Sequence, residues 1–457
     1  MASLLAAQAS SHVAPPLWAV APFVLLLLAI AVLPLVAHHW WERNRNRGIV
    51  AAVLGVPVAL WMLFGPAEGG QWLGDAGLEY AAFIALLGSL FVVTGGIHIG
   101  GSLAGTPLVN TAVLGVGAAI ASFVGTTGAS MLLIRPLLRA NVSRRRKAHL
   151  VVFFILIVSN AGGLLTPLGD PPLFLGFLRG VPFGWTLRLW GPWLFMNVAL
   201  LLVFNLWDQI VFNREERERA GSQLEAVQKV RVPLRIDGTL NFLWLAGVVA
   251  TNFVVGTLAR EQGWSHTLRD GALVGGMVGM TVLSLLTTSR GVRKANHFAW
   301  APIVEVAVIF AGIFVTMVPA MKLLDALGRQ GKFALAEPWQ YFWVTGALSS
   351  FLDNAPTYVT FATIACVVVG RRTGTEISPT ALDGLVATPE GAALLAAISC
   401  GAVFMGANTY IGNGPNFMVK AIAEQNGVKM PSFFAYFLWA VAIMIPLYVG
   451  MSFLFFG

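Results

Sequence analysis

The chain has 457 residues, of which 57% are hydrophobic and only 11% are charged. This balance excludes an ordinary soluble enzyme and is typical of a protein that crosses a membrane several times. The formal net charge is +8. The basic residues are dispersed between apolar segments, so the charge indicates membrane orientation rather than binding to nucleic acid.

The first half of the chain combines simple apolar segments with two interrupted ones. The segment at 107–138 carries the polar sequence GTTGAS at 125–130 and is predicted to be a re-entrant helical hairpin. The segment at 148–178 contains SNAGGLLTPLGDPP, whose glycines and prolines predict a broken helix. The simple spans are predicted at 17–37, 49–65, 80–100 and 186–206.

A charged connector at 208–237 separates this half from a second one with the same plan, so the predicted repeats are 1–207 and 238–457. The second hairpin is predicted at 339–369, with the tip SSFLDNAPTY, and the second broken helix at 390–426, with the sequence GANTYIGNGPN. The simple spans of this half are predicted at 239–258, 271–288, 300–318 and 433–455.

Comparison of the halves with each other supports a duplication. The alignment superimposes Ser122 on Ser350, Gly162 on Gly406 and Pro171 on Pro415, which leaves Asp170 opposite Gly414. Hairpin and broken helix follow in the same order in both halves. We therefore predict an all-α polytopic membrane protein with two inverted repeats, about 10 transmembrane helices, two re-entrant hairpins and two broken helices.

The basic residues predict how the chain lies in the membrane. The first apolar segment has no Lys or Arg before it and is followed by Arg43, Arg45 and Arg47, so it is expected to be a retained span rather than a cleaved signal. An outer N-terminus places most Lys and Arg in inner loops. The expected location is a bacterial-type inner membrane, with both termini periplasmic.

The two breaks predict a binding site. Backbone N–H and C=O groups freed at membrane depth must line a buried site or a water-filled cavity. Asp353, at the second hairpin tip, is the leading candidate, because a carboxylate at the bilayer centre costs about 2.5–3.5 kcal/mol unless a partner, cation or proton compensates it. With Asn354 it offers hard oxygen ligands for Na⁺ or Li⁺. The alternative is an Asp–Arg pair that joins helices.

Two further carboxylates are candidates for proton coupling. Asp170 either binds an ion or caps the helix that starts at Pro171. Glu305 is either a proton relay or an interface residue. The remaining candidate ligands for the ion or substrate are polar residues of the tips and breaks, namely Thr126, Thr127, Ser159, Asn160, Asn408, Thr409, Asn413 and Asn416.

Two basic positions near the first hairpin have alternative interpretations. Arg135 either contacts an anionic substrate, pairs with Asp170 or extends to the inner headgroups. The run 144–147 is interpreted as a positive-inside anchor. No phosphate-binding loop, metal-ligand cluster or catalytic triad is present in the sequence, so we expect no enzyme activity, no cofactor and an ion gradient as the energy source.

Polar hairpin tips followed by broken helices with a GG/GA…[GN]-x-P-[PN] pattern resemble the ion transporter superfamily. Its branches include NhaD-type sodium/proton antiporters, citrate (CitMHS-like) transporters, divalent-anion symporters and arsenite transporters. The resemblance covers roughly residues 80–190 and 300–450. It implies a homodimer in which the hairpins and broken helices move as an elevator against a fixed scaffold.

The hairpin tips decide which branch the chain resembles most. Dicarboxylate symporters of the superfamily usually carry Ser-Asn-Thr at both tips, whereas this chain has Gly-Thr-Thr at 125–127 and Asp-Asn-Ala at 353–355. A fixed negative charge repels a carboxylate substrate, which favours Na⁺(Li⁺)/H⁺ antiport. Symport of citrate or another carboxylate with Na⁺ or H⁺ stays open, since hydroxyls and helix N-termini also bind carboxylates. A channel or scaffold without coupled transport is the third alternative.

Overall fold

The computed structural model describes residues 15–41, 43–101, 104–218, 235–296, 298–329, 335–352, 354–374, 377–378 and 382–457. Its longer helices in the first half are α1 (Ala21–Val36), α2 (Asn44–Phe64), α3 (Gly69–Gly95), α4 (Pro107–Val124), α5 (Thr126–Ala140), α6 (Ala148–Ile157), α7 (Pro171–Leu178) and α8 (Trp190–Glu218). Those in the second half are α9 (Leu240–Glu261), α10 (His266–Thr287), α11 (Ala301–Arg329), α12 (Pro338–Ser349), α13 (Asn354–Thr373), α14 (Pro389–Met405), α15 (Gly414–Gln425) and α16 (Phe433–Met451).

Short elements connect these helices. Single turns and short helices occur at Leu17–Val20, His38–Trp41, Ala161–Leu165, Phe183–Leu189, Arg290–Ala295, Asp383–Val386, Gly406–Asn408 and Ser452–Phe456. The strands β1 (His98–Gly100) and β2 (Arg235–Asp237) pair antiparallel, with His98 opposite Asp237. Within the described residues, ten helices are long and apolar enough to cross a membrane. The prediction of an all-α polytopic membrane protein is confirmed.

The observed helix bounds differ from the predicted spans at three places. Helix α11 continues to Arg329, past the predicted end of its span at 318. Helix α3 begins at Gly69, well before the predicted start at 80. Glycines and charged residues lower the hydropathy of its first turns, so the hydropathy of the sequence did not indicate the earlier start. Helix α8 continues to Glu218, past the predicted start of the connector at Asp208.

Burial distinguishes the helices that lead into the two breaks from the others. In α6 every residue from His149 to Ile157 is buried, as expected for a helix that is apolar on all sides. Buried residues make up 89% of the spanning window that begins at Ala148 and 78% of the one that begins at Pro389, against 22% in α2, α9, α10 and α16. The breaks therefore follow the innermost helices of the protein.

Helices α9 and α10 form a separate packing unit against α3. Their contacts with α3 use a small second core, which comprises Leu90, Val93, Leu245, Val248, Leu273 and Met277. The main core contains α6, both hairpins and both breaks. The protein thus has a two-helix unit that is joined to the main core chiefly through one long helix.

A buried ion-pair network explains why α8 continues through its charged residues. Arg144 forms ion pairs with Asp208 at 2.8 Å and with Glu215 at 2.6 Å, and the side chains of Arg144 and Asp208 are fully buried. His149 and Asn110 also contact the Asp208 carboxylate, at 2.9 and 2.8 Å. The interpretation of the basic run as a headgroup anchor is therefore wrong for Arg144. Its charge fixes the loop after α5 to α6 and α8.

We predict that Arg144→Met destabilises the protein by about 3–5 kcal/mol, because it leaves two buried carboxylates without their cation. The loss is measured as the free energy of unfolding in a denaturant titration of detergent-solubilised protein. Arg145→Met is the matched control, since Arg145 is exposed and surface substitutions usually stay within about 0.5 kcal/mol. Equal losses in the two variants would contradict the structural role of the network.

Candidate functional site

The first break is shaped by a close backbone crossing. After α6 the chain forms the turn Ala161–Leu165 and then becomes extended at Thr166, with φ −136° and ψ 157°. It returns so closely that a Cβ at Gly169 would lie 2.0 Å from the carbonyl oxygen of Gly163. Only glycine fits such a crossing, and α7 then begins at Pro171.

The second break repeats this shape. Thr409 is extended, with φ −133° and ψ 166°, after the turn Gly406–Asn408. A Cβ at Gly412 would lie 2.6 Å from the carbonyl oxygen of Gly406. Helix α15 then begins at Gly414. The predicted broken helices at 148–178 and 390–426 are thus both interrupted, with matching backbone geometry.

Each hairpin is bound to the break in its own half by the same hydrogen bonds. The hydroxyl of Thr166 donates to the carbonyl of Ser122, and that of Thr409 donates to the carbonyl of Ser350. In return, the Ser122 hydroxyl donates to the carbonyl of Gly162 at 2.5 Å and the Ser350 hydroxyl to that of Met405 at 3.0 Å. The two halves therefore superimpose Thr166 on Thr409.

This register corrects the predicted alignment of the breaks by one residue. Asp170 corresponds to Asn413 rather than to Gly414. The predicted pairs of Gly162 with Gly406 and of Pro171 with Pro415 are wrong for the same reason. The first break contains both a glycine pair and a proline pair. Either residue of each pair can be aligned with the second break, so sequence alignment could not choose between the two adjacent registers.

The two breaks contact each other in the interior. Asn160 donates to the amide oxygen of Asn416 at 2.7 Å. Asn413 donates to the backbone carbonyl of Ser159 at 3.2 Å and to the amide oxygen of Asn160 at 3.2 Å. Ser159 also shares a hydrogen bond of 2.7 Å with Ser130 of α5. All five side chains are buried, so the breaks cross inside the protein.

Asp170 is the residue at which both tips and both breaks meet. One carboxylate oxygen accepts hydrogen bonds from the Thr126 hydroxyl at 2.8 Å and the Asn413 amide at 3.1 Å. The other accepts from the Asn354 amide at 2.6 Å. Asp170 is 1% exposed, and its side chain makes no hydrogen bond to the first turn of α7. The geometry favours a site residue over a helix cap.

Asn354 contributes to this site an amide oxygen that has no hydrogen bond among the described residues. Its Oδ1 atom is buried and has no hydrogen bond among the described residues, while its Nδ2 atom donates to Asp170. A buried amide oxygen without a partner is costly. The site therefore combines a carboxylate with an oxygen that is available to a ligand.

Other predicted residues hold the second break in shape. Asn408 donates to the Ser350 hydroxyl at 3.0 Å and accepts from Tyr448 at 3.0 Å. Asn416 donates to the carbonyls of Gly406 and Thr409, each at 2.9 Å. These side chains orient the backbone around the site.

One of the other predicted carboxylates, Glu305, has a different partner. Glu305 lies on α11 and forms an ion pair of 2.8 Å with Arg47 of α2. This pair matches the interface interpretation of Glu305 rather than the proton relay. Asp353 lies outside the described residues, directly before Asn354 in the chain.

A cavity of about 90 Å³ lies beside Asp170. Its volume is enough for several water molecules or a hydrated cation. Thr126 and Thr127 of the first tip line it together with Asp170, and so do Leu90 of α3 and Asn252 of α9. Asn252 was not predicted as a site residue. The available signal was an amide within a largely apolar span, a feature that Asn241 of the same span shares.

We predict that Gly169→Ala prevents the backbone crossing at the first break from forming, because the new methyl group would overlap the Gly163 carbonyl. The expected result is a severe loss of monodisperse protein in size-exclusion chromatography after mild heating. Gly279→Ala on α10 is the control, since a Cβ there meets no atom within 4 Å. Equal yields of the two variants would contradict the close crossing.

Comparison with known proteins identifies the family. No curated protein matches the chain. The family model CitMHS_2, whose description reads "Putative citrate transport", matches residues 12–456. This match covers nearly the whole chain and agrees with the resemblance to CitMHS-like transporters. The chain therefore belongs to the CitMHS_2 family of membrane transport proteins.

Proposed function

We propose that the protein is a secondary active transporter that exchanges Na⁺ or Li⁺ for H⁺ at Asp170. The observation that carries this proposal is the buried Asp170 carboxylate beside the Asn354 amide oxygen that has no hydrogen bond among the described residues. Carboxylate and carbonyl oxygens at broken helices are ligands that suit Na⁺, and a carboxylate also binds a proton.

Exchange follows if the cation and the proton compete for the same carboxylate. Without either ion, the negative charge is stabilised by the hydroxyl of Thr126 and the amides of Asn354 and Asn413. A primary amide has donors on one atom and an acceptor on the other. Rotation of the Asn354 amide would therefore replace a donor to Asp170 by an oxygen ligand for Na⁺. Protonation of Asp170 removes the charge that holds the cation.

Other residues complete this proposal. Asp353, next to Asn354 in the chain, would supply a second carboxylate. Thr127 and the backbone carbonyls of the breaks would supply further oxygen ligands. The halves would be inverted repeats with hairpins that re-enter the membrane, for which the shared hydrogen-bond pattern at Thr166 and Thr409 is the support.

The separate packing of α9 and α10 supports an elevator motion. The proposed scaffold contains α3, α9 and α10, and the proposed moving unit contains the hairpins and breaks. Both groups line the cavity beside Asp170, since residues of α3 and α9 and residues of the first tip and first break contribute to it. A homodimer in a bacterial-type inner membrane, with periplasmic termini, completes the proposed arrangement.

Symport of citrate or another carboxylate with Na⁺ or H⁺ is the second candidate. The description of the matching family favours it. In this case Asp170 would hold the coupling cation, and the anion would need a site of its own. Both candidates use the same cation site.

We predict that Asp170→Asn reduces Na⁺-driven proton movement in proteoliposomes to the level of empty liposomes, because the amide binds neither a cation nor a proton strongly. Proton movement is followed with a pH-sensitive dye after an imposed Na⁺ gradient, without organic anions. Glu261→Gln, at an exposed carboxylate, should keep the wild-type rate. Retained exchange in Asp170→Asn would contradict the proposal. A wild-type signal that requires citrate would select symport.

We also predict that Asp353→Asn abolishes pH-dependent Na⁺ exchange while folded protein remains in the membrane. The reason is that Asp353 would supply the second carboxylate of the cation site. The assay is the same, with size-exclusion chromatography as the folding control. Unchanged exchange would rule out a role for Asp353.

A further inference from the structure

Arg135 is a buried cation on the helix that carries the first tip. It lies about 14 Å along the axis of α5 from Thr126 and is 7% exposed. Its guanidinium lies 5.2 Å from the centre of the Phe91 ring of α3. Its hydrogen bond is a long one of 3.4 Å to the carbonyl of Met131 on its own helix. Within the described part of the chain, no carboxylate pairs with it.

Arg139 lies one turn further along α5 and also bonds only to neutral groups among the described residues. It donates to the amide oxygen of Asn296 at 3.1 Å and to the carbonyl of Ile99 at 2.7 Å. One of its nitrogens is 3.2 Å from the ring nitrogen of His98. Arg139 therefore contacts the segment around Asn296 from the turn of α5 that follows Arg135.

Arg293, in the short helix before Asn296, lies near the Phe91 ring that Arg135 contacts. Its guanidinium lies 5.1 Å from the Phe298 ring, and the Phe298 and Phe91 rings are 5.2 Å apart. It donates to the carbonyl of Val92 at 3.1 Å. Burial lowers the pKa of Arg293, as expected for a cation that is partly removed from water. We call Arg135, Arg139 and Arg293 the arginine cluster.

The contrast with Arg144 shows what the cluster lacks. For Arg144 the chain provides two buried carboxylates, Asp208 and Glu215. Within the described residues, the arginine cluster has no such carboxylate. A buried cation without a counter-charge is strongly unfavourable. An anion from outside the chain would supply the missing charge.

We infer that the arginine cluster binds an oxyanion with several acidic groups, of which a multivalent carboxylate is the chemistry we favour. A guanidinium presents paired N–H donors that match a carboxylate or phosphate. The inference deepens the second candidate function and rests on it. It leaves the cation site at Asp170 unchanged. The same helix would then carry a cation ligand at Thr126 and an anion ligand at Arg135.

The test uses the full chain in nanodiscs of neutral phosphatidylcholine. Its thermal unfolding midpoint is followed against citrate concentration at constant ionic strength. A ligand that binds only the native state raises this midpoint. We expect Arg135→Gln to raise the half-saturating citrate concentration at least about tenfold, because charge-assisted hydrogen bonds are lost. Arg135→Lys should give an intermediate value, and the exposed Arg145→Gln should match wild type.

A parallel Na⁺ titration separates the two sites and reports folding. Arg135→Gln should keep the Na⁺ response, whereas Asp170→Asn should lose it and keep the citrate response. If Arg135→Gln does not fold, Arg135→Lys and Arg139→Gln replace it. A wild-type protein that responds to citrate but not to Na⁺ would contradict the proposed antiport. The anion site would still be supported.

The source of the anion is tested with nanodiscs that contain phosphatidylglycerol. A midpoint raised by this lipid in wild type but not in Arg135→Gln, without any citrate response, would support the oxyanion site and assign it to a lipid headgroup. Equal citrate responses in wild type and Arg135→Gln would overturn the inference. So would a wild type that responds to neither citrate nor the anionic lipid.

Discussion

A carboxylate buried among membrane helices must be compensated, and Asp170 meets this requirement with donors from three separate elements. Thr126, Asn354 and Asn413 approach it from the first hairpin tip, the second hairpin tip and the second break. The three donors can reach Asp170 only if both hairpin tips and the second break lie next to it. The position of one charge therefore fixes how the two halves of the protein fit together.

The backbone of the two breaks obeys the same constraint. Carbonyl and N–H groups that leave a helix within the protein need partners, and here the partners are hydroxyls and amides of the facing elements. Thr166 and Thr409 bind the hairpins, while Asn160 and Asn416 bind the two breaks to each other. The deeply buried helices α6 and α14 lead into these breaks, so the polar centre is shielded from lipid by the rest of the protein.

The sequence predicted the breaks and the hairpins, because glycine, proline and polar residues clustered within an apolar segment interrupt a membrane helix. It could not show that Asp170 lies where the two halves meet, since the contacts of Asp170 with Asn354 and Asn413 join residues 184 and 243 positions apart. The one-residue shift between the repeats likewise depends on which hydroxyl meets which carbonyl. Arg144 was interpreted as a headgroup anchor because its carboxylate partners lie in the last turns of α8. The charge pattern of the sequence assigned those turns to the connector.

Equilibrium binding of radioactive ²²Na⁺ to purified protein, measured by scintillation proximity across a range of pH, tests the central claim most directly. If Asp170 holds either a proton or Na⁺, the apparent Na⁺ affinity should fall about tenfold for each unit that the pH drops below the pKa of the site. A Na⁺ affinity that is the same at every pH, or no Na⁺ binding at any pH, would contradict the account.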